Sequence, residues 1–334
     1  MLSRIFYLWE QRLSQRDTNR TVRDFEWGLE FLPEGRTAED PRLHMLEFAR
    51  KAVEESDAYH SYPPVQDWQV QERHLTFTTP SPTIYPKNNT VHAGHFPVNS
   101  NGRAVLVLPQ WNADARSHVL LCRMLNLFGL SALRLSLPYH DLRMPDELTR
   151  ADYMLSPNLG RNLQAVRQAV VDARDALDWL ESQGYTKLAI LGTSIGSCVA
   201  LITLAHDSRL KLGVMNHVSP YFADVAWEGI STRHVRAGLQ GKIELDDLRK
   251  IWMPISPRAY FKKLVGSGQK SLLVHALYDH SFPHNLSEEV LRDYQELCLP
   301  HSTFALRCGH YTSGVFPFNV VLGYAMCRYI HRHL

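Results

Sequence analysis

The stretch Lys187-Leu-Ala-Ile-Leu-Gly-Thr-Ser-Ile-Gly-Ser197 constrains the fold of this chain more than any other. Leu188 to Leu191 is a short apolar run, as in a buried parallel strand. Gly192-Thr193-Ser194-Ile195-Gly196 follows at once, and Ser197 to Ala205 reads as a buried helix. A serine caught between strand and helix sits on a sharp turn, so its neighbours must be small. Gly192 and Gly196 remove the Cβ atoms that would clash where strand and helix converge. Ser194 Oγ then stands above the sheet edge, next to a helix N-terminus that favours negative charge.

The totals bound the rest. A chain of 334 residues accommodates one large α/β domain with a substantial core. A net charge of +2, with no basic run and no zinc-finger spacing, gives no reason to invoke nucleic acid. Cys122, Cys198, Cys298, Cys308 and Cys327 are scattered and odd in number, the pattern of reduced thiols in a cytoplasmic protein. Cys198, on the helix after Ser194, is expected to pack in the core. No apolar stretch is long enough to cross a membrane, and the N-terminus lacks a signal-peptide pattern.

Residues 1–64 read as a helical extension packed on the main domain. Leu2, Ile5, Phe6, Trp9 and Leu13 recur at helical spacing, and Leu43, Leu46, Ala49 (or Phe48), Ala52 and Val53 mark a second helix with Asp40-Pro41 at its start. Pro33-Glu-Gly35 marks irregular chain and Tyr62-Pro-Pro64 the join to the main domain, residues 65–334. An edge strand over Val70 to Phe77 and a second within Thr90 to Val98 form an antiparallel start. From Arg103 strands and helices alternate. Strands are expected at Ala104–Leu108, Ser131–Leu137, Leu210–Met215, Ser271–Leu277 and Thr303–Leu306, and helices at Asp114–Leu127, Asn162–Gln183 and Val315–His331. Residues 221–264 break the rhythm, a long excursion with helical pieces and several aromatics.

A serine hydroxyl needs a base near neutral pKa, and the base needs a carboxylate that orients it. Gly-x-Ser-x-Gly between strand and helix resembles the nucleophile elbow of the α/β-hydrolase superfamily, and within it the chain looks like an esterase- or dienelactone-hydrolase-like serine hydrolase. The resemblance covers about residues 103–331. It implies a mostly parallel sheet with helices on both faces and a cap at about 221–264. It also implies the chain order serine, acid, histidine. Ser194 is then the nucleophile. His310, in Cys308-Gly-His-Tyr-Thr after the last strand, is the base. Asp279, after the penultimate strand and a few residues before Pro283, is the acid, with Asp224 as competitor. The oxyanion hole takes the N–H of Ile195 and one from the loop Pro109-Gln-Trp-Asn112, where Trp111 aligns best and Gln110 second. Many relatives have His-Gly in that loop, and this chain departs from them.

Trp111, Tyr139, His140, Tyr221 and Trp252 are candidates for substrate contact, though Tyr139 and His140 can equally be structural. The expected activity is hydrolysis of a small carboxylic ester through an acyl-enzyme, with no cofactor. A non-catalytic scaffold on the same fold and an acyltransferase with the same triad are the alternatives. No metal-ligand spacing such as His-Glu-x-x-His occurs.

Overall fold

Alternation along the central strands explains the layering seen in the computed structural model, which describes residues 2–33, 38–63 and 65–334. In strand Arg103–Leu108, Ala104, Leu106 and Leu108 enter one apolar core, whereas Val105 and Val107 enter a second. In strand Lys187–Thr193, Leu188 and Ile190 go to the first, and Ala189 and Leu191 to the second. Successive side chains of a strand point to opposite faces, so a sheet buried on both sides needs these uninterrupted apolar runs.

The elements run in order as follows. Helices α1 (Leu2–Ser14), α2 (Pro41–Glu54) and α3 (Ser56–Tyr59) precede strands β1 (Gln69–Gln71), β2 (His74–Thr78), β3 (Thr90–Phe96) and β4 (Arg103–Leu108). Then come α4 (Val119–Leu127), β5 (Ser131–Leu135), α5 (Leu159–Ser182), β6 (Lys187–Thr193), α6 (Ile195–His206) and β7 (Leu210–Asn216). Helices α7 (Phe222–Glu228), α8 (Arg233–Leu239) and α9 (Leu245–Ile251) occupy the long excursion. The chain closes with β8 (Lys270–Ala276), α10 (His284–Glu296), β9 (His301–Leu306) and α11 (Phe318–His333).

One nine-stranded sheet has the order β1-β2-β3-β5-β4-β6-β7-β8-β9. Its first strands pair antiparallel, and every pair from β5–β4 to β8–β9 is parallel. The C-terminal ends of β4, β6, β7, β8 and β9 therefore open on one edge, the usual place for a site in an open α/β sheet. Buried residues of α5 and α6 pack in the first core, together with Met45 of α2 and Trp252, Tyr260 and Phe261 of the long excursion. Buried residues of α4 and α11 pack in the second.

Several expected boundaries shift for local reasons. Helix α5 starts at Leu159 because Asn158 caps it, its side chain accepting from the Arg161 N–H. Helix α4 starts only at Val119, because Asp114 Oδ1 captures the N–H groups of Arg116 and Ser117 in a turn. The edge strand is a hairpin, turned at Glu72 with φ +57°. Helix α10, with Leu286, Val290 and Tyr294 buried, lies between the last two strands where no helix was expected. Asp40 caps α2 as anticipated, by accepting from the Leu43 N–H. Glu34, Gly35 and Pro64, from the expected irregular stretch and domain join, lie outside the described residues. Among the described residues no helix is long and apolar enough to cross a membrane.

The apolar stripe of α1 divides. Phe6 stacks on Tyr278 at 4.9 Å and Leu13 is buried, but Ile5 and Leu8 are exposed. The inward face is Phe6, Glu10 and Leu13, with a carboxylate at its centre.

Candidate active site

Ser194 sits at the junction of β6 and α6 with φ +57° and ψ −123°. Such a backbone is costly for a residue with a Cβ and persists only where the surroundings dictate it. Here they do. A Cβ on Gly192 would lie 2.1 Å from the Gly196 carbonyl oxygen, and one on Gly196 only 2.4 Å from that of Leu108. The Ser194 N–H donates to Asn216 O at 2.8 Å, and Ser197 Oγ lies 2.6 Å from the carbonyl oxygens of both Ser194 and His217. The turn is thus clamped between the ends of β4 and β7.

The loops after β8 and β9 are zipped together. Leu277 N–H donates to Leu306 O and Tyr278 N–H to Cys308 O, each at 2.9 Å. This brings Asp279 to His310, whose Nδ1 lies 3.0 Å from Asp279 Oδ2. Asp279 Oδ1 accepts from the N–H groups of Ser281 and Phe282, both at 2.7 Å. Burial works to raise the Asp279 pKa, but the charge of His310, its hydrogen bond and the close approach of His217 outweigh it and hold the carboxyl well below its usual range. At His310 burial works against the imidazolium, and Asp279 and then Glu10 outweigh it, so its pKa stands above 6.5. Phe282 stacks on the His310 ring at 5.3 Å with the planes 3° apart.

Ser194 and His310 line one cavity of about 530 Å³. Gln110, Trp111, Arg150 and Asn319 form part of its polar wall, and Leu120, Met124, Leu322 and Met326 its apolar wall. A second, narrow and mostly apolar cleft of about 40 Å³ runs inward from Ser194 between Ile195, Tyr221, Phe222 and Phe282. Trp111 lines both, and its Nε1 donates to Ala151 O at 2.9 Å. Among the described residues, nothing accepts a hydrogen bond from the N–H of Ile195, Gln110 or Trp111. Helix α7 and residues Ser231 and Thr232 wall the cleft, so part of the 221–264 excursion lies over the serine.

Three expected contacts are corrected. Trp252 is wholly buried, donates Nε1–H to Leu159 O at 3.2 Å and lines neither cavity. Tyr139 and His140 are buried within the loop that follows β5. The Tyr139 N–H donates to Asn88 Oδ1, and His140 Nδ1 lies 2.7 Å from Pro138 O. Arg143, also buried there, bonds Asn88 O, Ser136 O and Asp172, so this loop is a packing joint. Asp224 pairs with Arg249 at 2.6 Å and does not reach His310.

Two residues at the site were missed. His217, directly after β7 with φ +63°, places Nδ1 2.8 Å from Asp279 Oδ2, off the line of a good hydrogen bond, and Nε2 3.2 Å from Ser313 Oγ. A histidine one residue beyond a strand at this sheet edge was the available signal. Glu10 of α1 is fully buried and accepts from the N–H groups of Tyr311 and Thr312, at 2.9 and 2.8 Å. Its signal was an acid on the apolar face of an amphipathic helix. His217, Asp279 and His310 place ligand-type atoms within 4.8 Å of one another. Both imidazoles turn Nδ1 toward the same carboxylate oxygen, the arrangement of two N–H groups sharing an acceptor rather than of three ligands facing a common centre.

No protein-family model matches the chain, and no curated protein is similar to it in sequence. Solved structures are similar in fold. Acetyl xylan esterase 1 from Thermoanaerobacterium sp. superposes with a TM-score of 0.59 at 12% identity, over 95% of this chain and 98% of that one. An acetyl xylan esterase from Paenibacillus sp. R4 does so with 0.56 at 17% identity, over 92% and 98%. The acylaminoacyl peptidase of Pyrococcus horikoshii gives 0.61 at 12% identity, over 80% of this chain, which spans only 42% of that longer protein. Strand order, the position of the Gly-x-Ser-x-Gly turn and these likenesses agree: the chain has the α/β-hydrolase fold.

Proposed function

We propose that the chain is a serine hydrolase of carboxylic esters. Ser194 attacks the ester carbonyl and His310 takes its proton. Asp279 holds the imidazole in the Nδ1–H tautomer and stabilises the imidazolium that forms. The N–H groups of Ile195 and of Trp111 or Gln110 receive the oxyanion, and water then releases the acyl group. The observation that carries this reading is the Ser194 backbone at φ +57°, held in the same cavity as a histidine whose Nδ1 is bonded to a buried aspartate. Strain retained at one hydroxyl that shares its cavity with a raised-pKa imidazole is hard to account for by packing alone.

Residues 221–264 serve as a cap on the cleft, and residues 1–64 as an extension that braces the site. The reading needs no cofactor. Five unpaired thiols fit a reducing, cytoplasmic setting.

The test is labelling with a fluorophosphonate, alongside hydrolysis of 4-nitrophenyl acetate and of a matched anilide. Labelling of the wild type that is lost in Ser194→Ala and His310→Ala, with the ester cleaved and the anilide not, is the expected result. Labelling that survives in Ser194→Ala would overturn the assignment.

A further inference from the structure

Arg150 is a buried cation that its surroundings hold only loosely, by two long ion pairs. Its side chain is 4% exposed, yet among the described residues its guanidinium donates no hydrogen bond. The nearest carboxylates are Asp17, 3.6 Å from Nη1, and Asp152, 3.6 Å from Nε. Each also has a closer partner, Asp17 in Arg20 at 2.9 Å and Asp152, through Oδ2, in Arg23 at 3.0 Å, while Asp152 Oδ1 faces only Arg150 Nε. Arg20 also donates to the Tyr311 hydroxyl at 2.8 Å. Three guanidinium groups thus share two carboxylates. The surplus positive charge falls to Arg150, the most deeply buried of the three cations.

An arginine cannot shed its proton in a protein, and burying it without hydrogen bonds is costly. Stacking 4.3 Å over the Trp111 ring offsets part of that cost. Nε is buried against Asp152, but the Nη donors make no hydrogen bond and adjoin the cavity that Arg150 lines together with Asp17, Ser194 and His310. His234, stacked on the same indole at 5.6 Å, is held neutral by burial and supplies no counter-charge.

We infer that Arg150 is the anion-binding group of a substrate subsite, and that the ester taken by this chain carries a singly charged oxygen group, a carboxylate or a phosphodiester, away from its scissile carbonyl. The inference deepens the hydrolase reading and rests on it. A planar fork of donors matches either group in a bidentate way, and one net charge matches one net charge. Trp111 couples the two ends of the site. Its N–H is a candidate oxyanion donor, and its ring carries the guanidinium. The wall of Leu120, Met124, Leu322 and Met326 faces the remainder of the substrate in the same cavity.

Three matched ester pairs test this: phenyl hemiglutarate against phenyl valerate, 3-carboxyphenyl acetate against phenyl acetate, and a butyryl glycerol methyl phosphate against butyryl glycerol. They place the charge on the acyl side, on the alcohol side, and on a phosphodiester. The wild type is expected to favour the anionic member of at least one pair by about ten-fold or more in kcat/KM, the scale of a hydrogen-bonded charge. Arg150→Met should abolish that preference, and Arg150→Lys, which keeps charge without the fork, should retain part of it. No preference in any pair, or a preference that survives in Arg150→Met, overturns the inference. Calorimetric titration of glutarate and dimethyl phosphate into wild type and Arg150→Met reads the subsite without catalysis. Saturable binding that is lost in the variant sustains the anion site even where the wild type cleaves no ester, and absence of binding to the wild type counts against it. Fluorophosphonate labelling of each variant reports separately on the serine.

Discussion

The candidate site has two flanks built by different rules. One is the C-terminal edge of the sheet, where β6, β8 and β9 deliver Ser194, Asp279 and His310 from turns that directly follow strands. The other is the N-terminal segment, which crosses that edge and supplies Glu10, Asp17 and Arg20. The first flank is specified locally, by strand–turn–helix patterns that any chain of this fold must keep. The second is specified only by contacts between residues about 300 positions apart, such as Glu10 with Tyr311. If the flanks differ in kind, breaking the first should abolish the chemistry, and breaking the second should degrade its alignment and shift its pH dependence.

The largest effects are therefore expected on the sheet edge. Ser194→Ala should lower kcat/KM by roughly four orders of magnitude or more, and Asp279→Asn by about the same factor, since the wrong tautomer of His310 then faces the serine. Steady-state kinetics on an activated ester measures both. A loss of only a few-fold in either would place the chemistry elsewhere.

These residues could be found from sequence because their positions follow from periodicity. Apolar runs mark β6 and β8, the shorter Phe304-Ala-Leu306 ends β9, and a polar residue just past such a run lies at the open edge. That rule places Ser194, Asp279, His310 and the Trp111 loop at the edge, where they line or adjoin one cavity. What could not be read is which side chains near the edge face inward. Tyr139 and His140 follow β5 as His310 follows β9, yet the Arg143 knot with Asn88 and Asp172 buries them. Trp252 was assigned by residue type, and the first core claims it. Glu10 and Arg150 gain their meaning only from partners remote in sequence.

Glu10 gives the sharpest test of the second flank. It holds the backbone of Tyr311 and Thr312 next to His310, and its charge adds to that of Asp279 in raising the His310 pKa. The base must be neutral to accept the serine proton, so kcat/KM should fall as pH drops through a pKa above 6.5. Glu10→Gln should cost roughly 10- to 100-fold in kcat/KM, the scale of a slightly misplaced catalytic group. It should also move the acid limb to lower pH. Glu10→Asp should keep the limb near its wild-type position while losing alignment. A variant that is destabilised but shows an unmoved limb would make Glu10 a packing residue only.

A smaller effect tests whether α1 bears on the loop as tightly as its geometry indicates. A Cβ at Gly309 would come within 2.3 Å of Glu10 Cδ, and Glu10 cannot swing aside without releasing two backbone N–H groups. Gly309→Ala alone should destabilise the fold by about 1–3 kcal/mol, the usual cost of overpacking. In the Glu10→Ala background its added cost should be distinctly less, because the obstacle is gone. Denaturant unfolding of the four proteins of this cycle reads the coupling. Additive costs would mean that the two elements do not press on each other.

The smallest expected effect concerns the second histidine on Asp279. His217 and His310 approach the same carboxylate oxygen with ring centroids 4.5 Å apart, but only His310 is aligned for a good hydrogen bond. His217 is buried, and its pKa is lowered, first by that burial and then by the neighbouring His310 charge. It would therefore remain a neutral donor while His310, as the proposed base, took up and released its proton. A neutral N–H on Oδ2 draws off some of the carboxylate's negative potential. In His217→Phe that potential acts on His310 alone, so the imidazolium gains stability and the acid limb of kcat/KM should move up by a fraction of a pH unit. The limb of Glu10→Gln moves the opposite way, so the two variants bracket the wild type. If both limbs moved down, His217 would be acting as a mechanical support for Asp279, and the sheet edge would depend on long-range bracing as much as the N-terminal flank does.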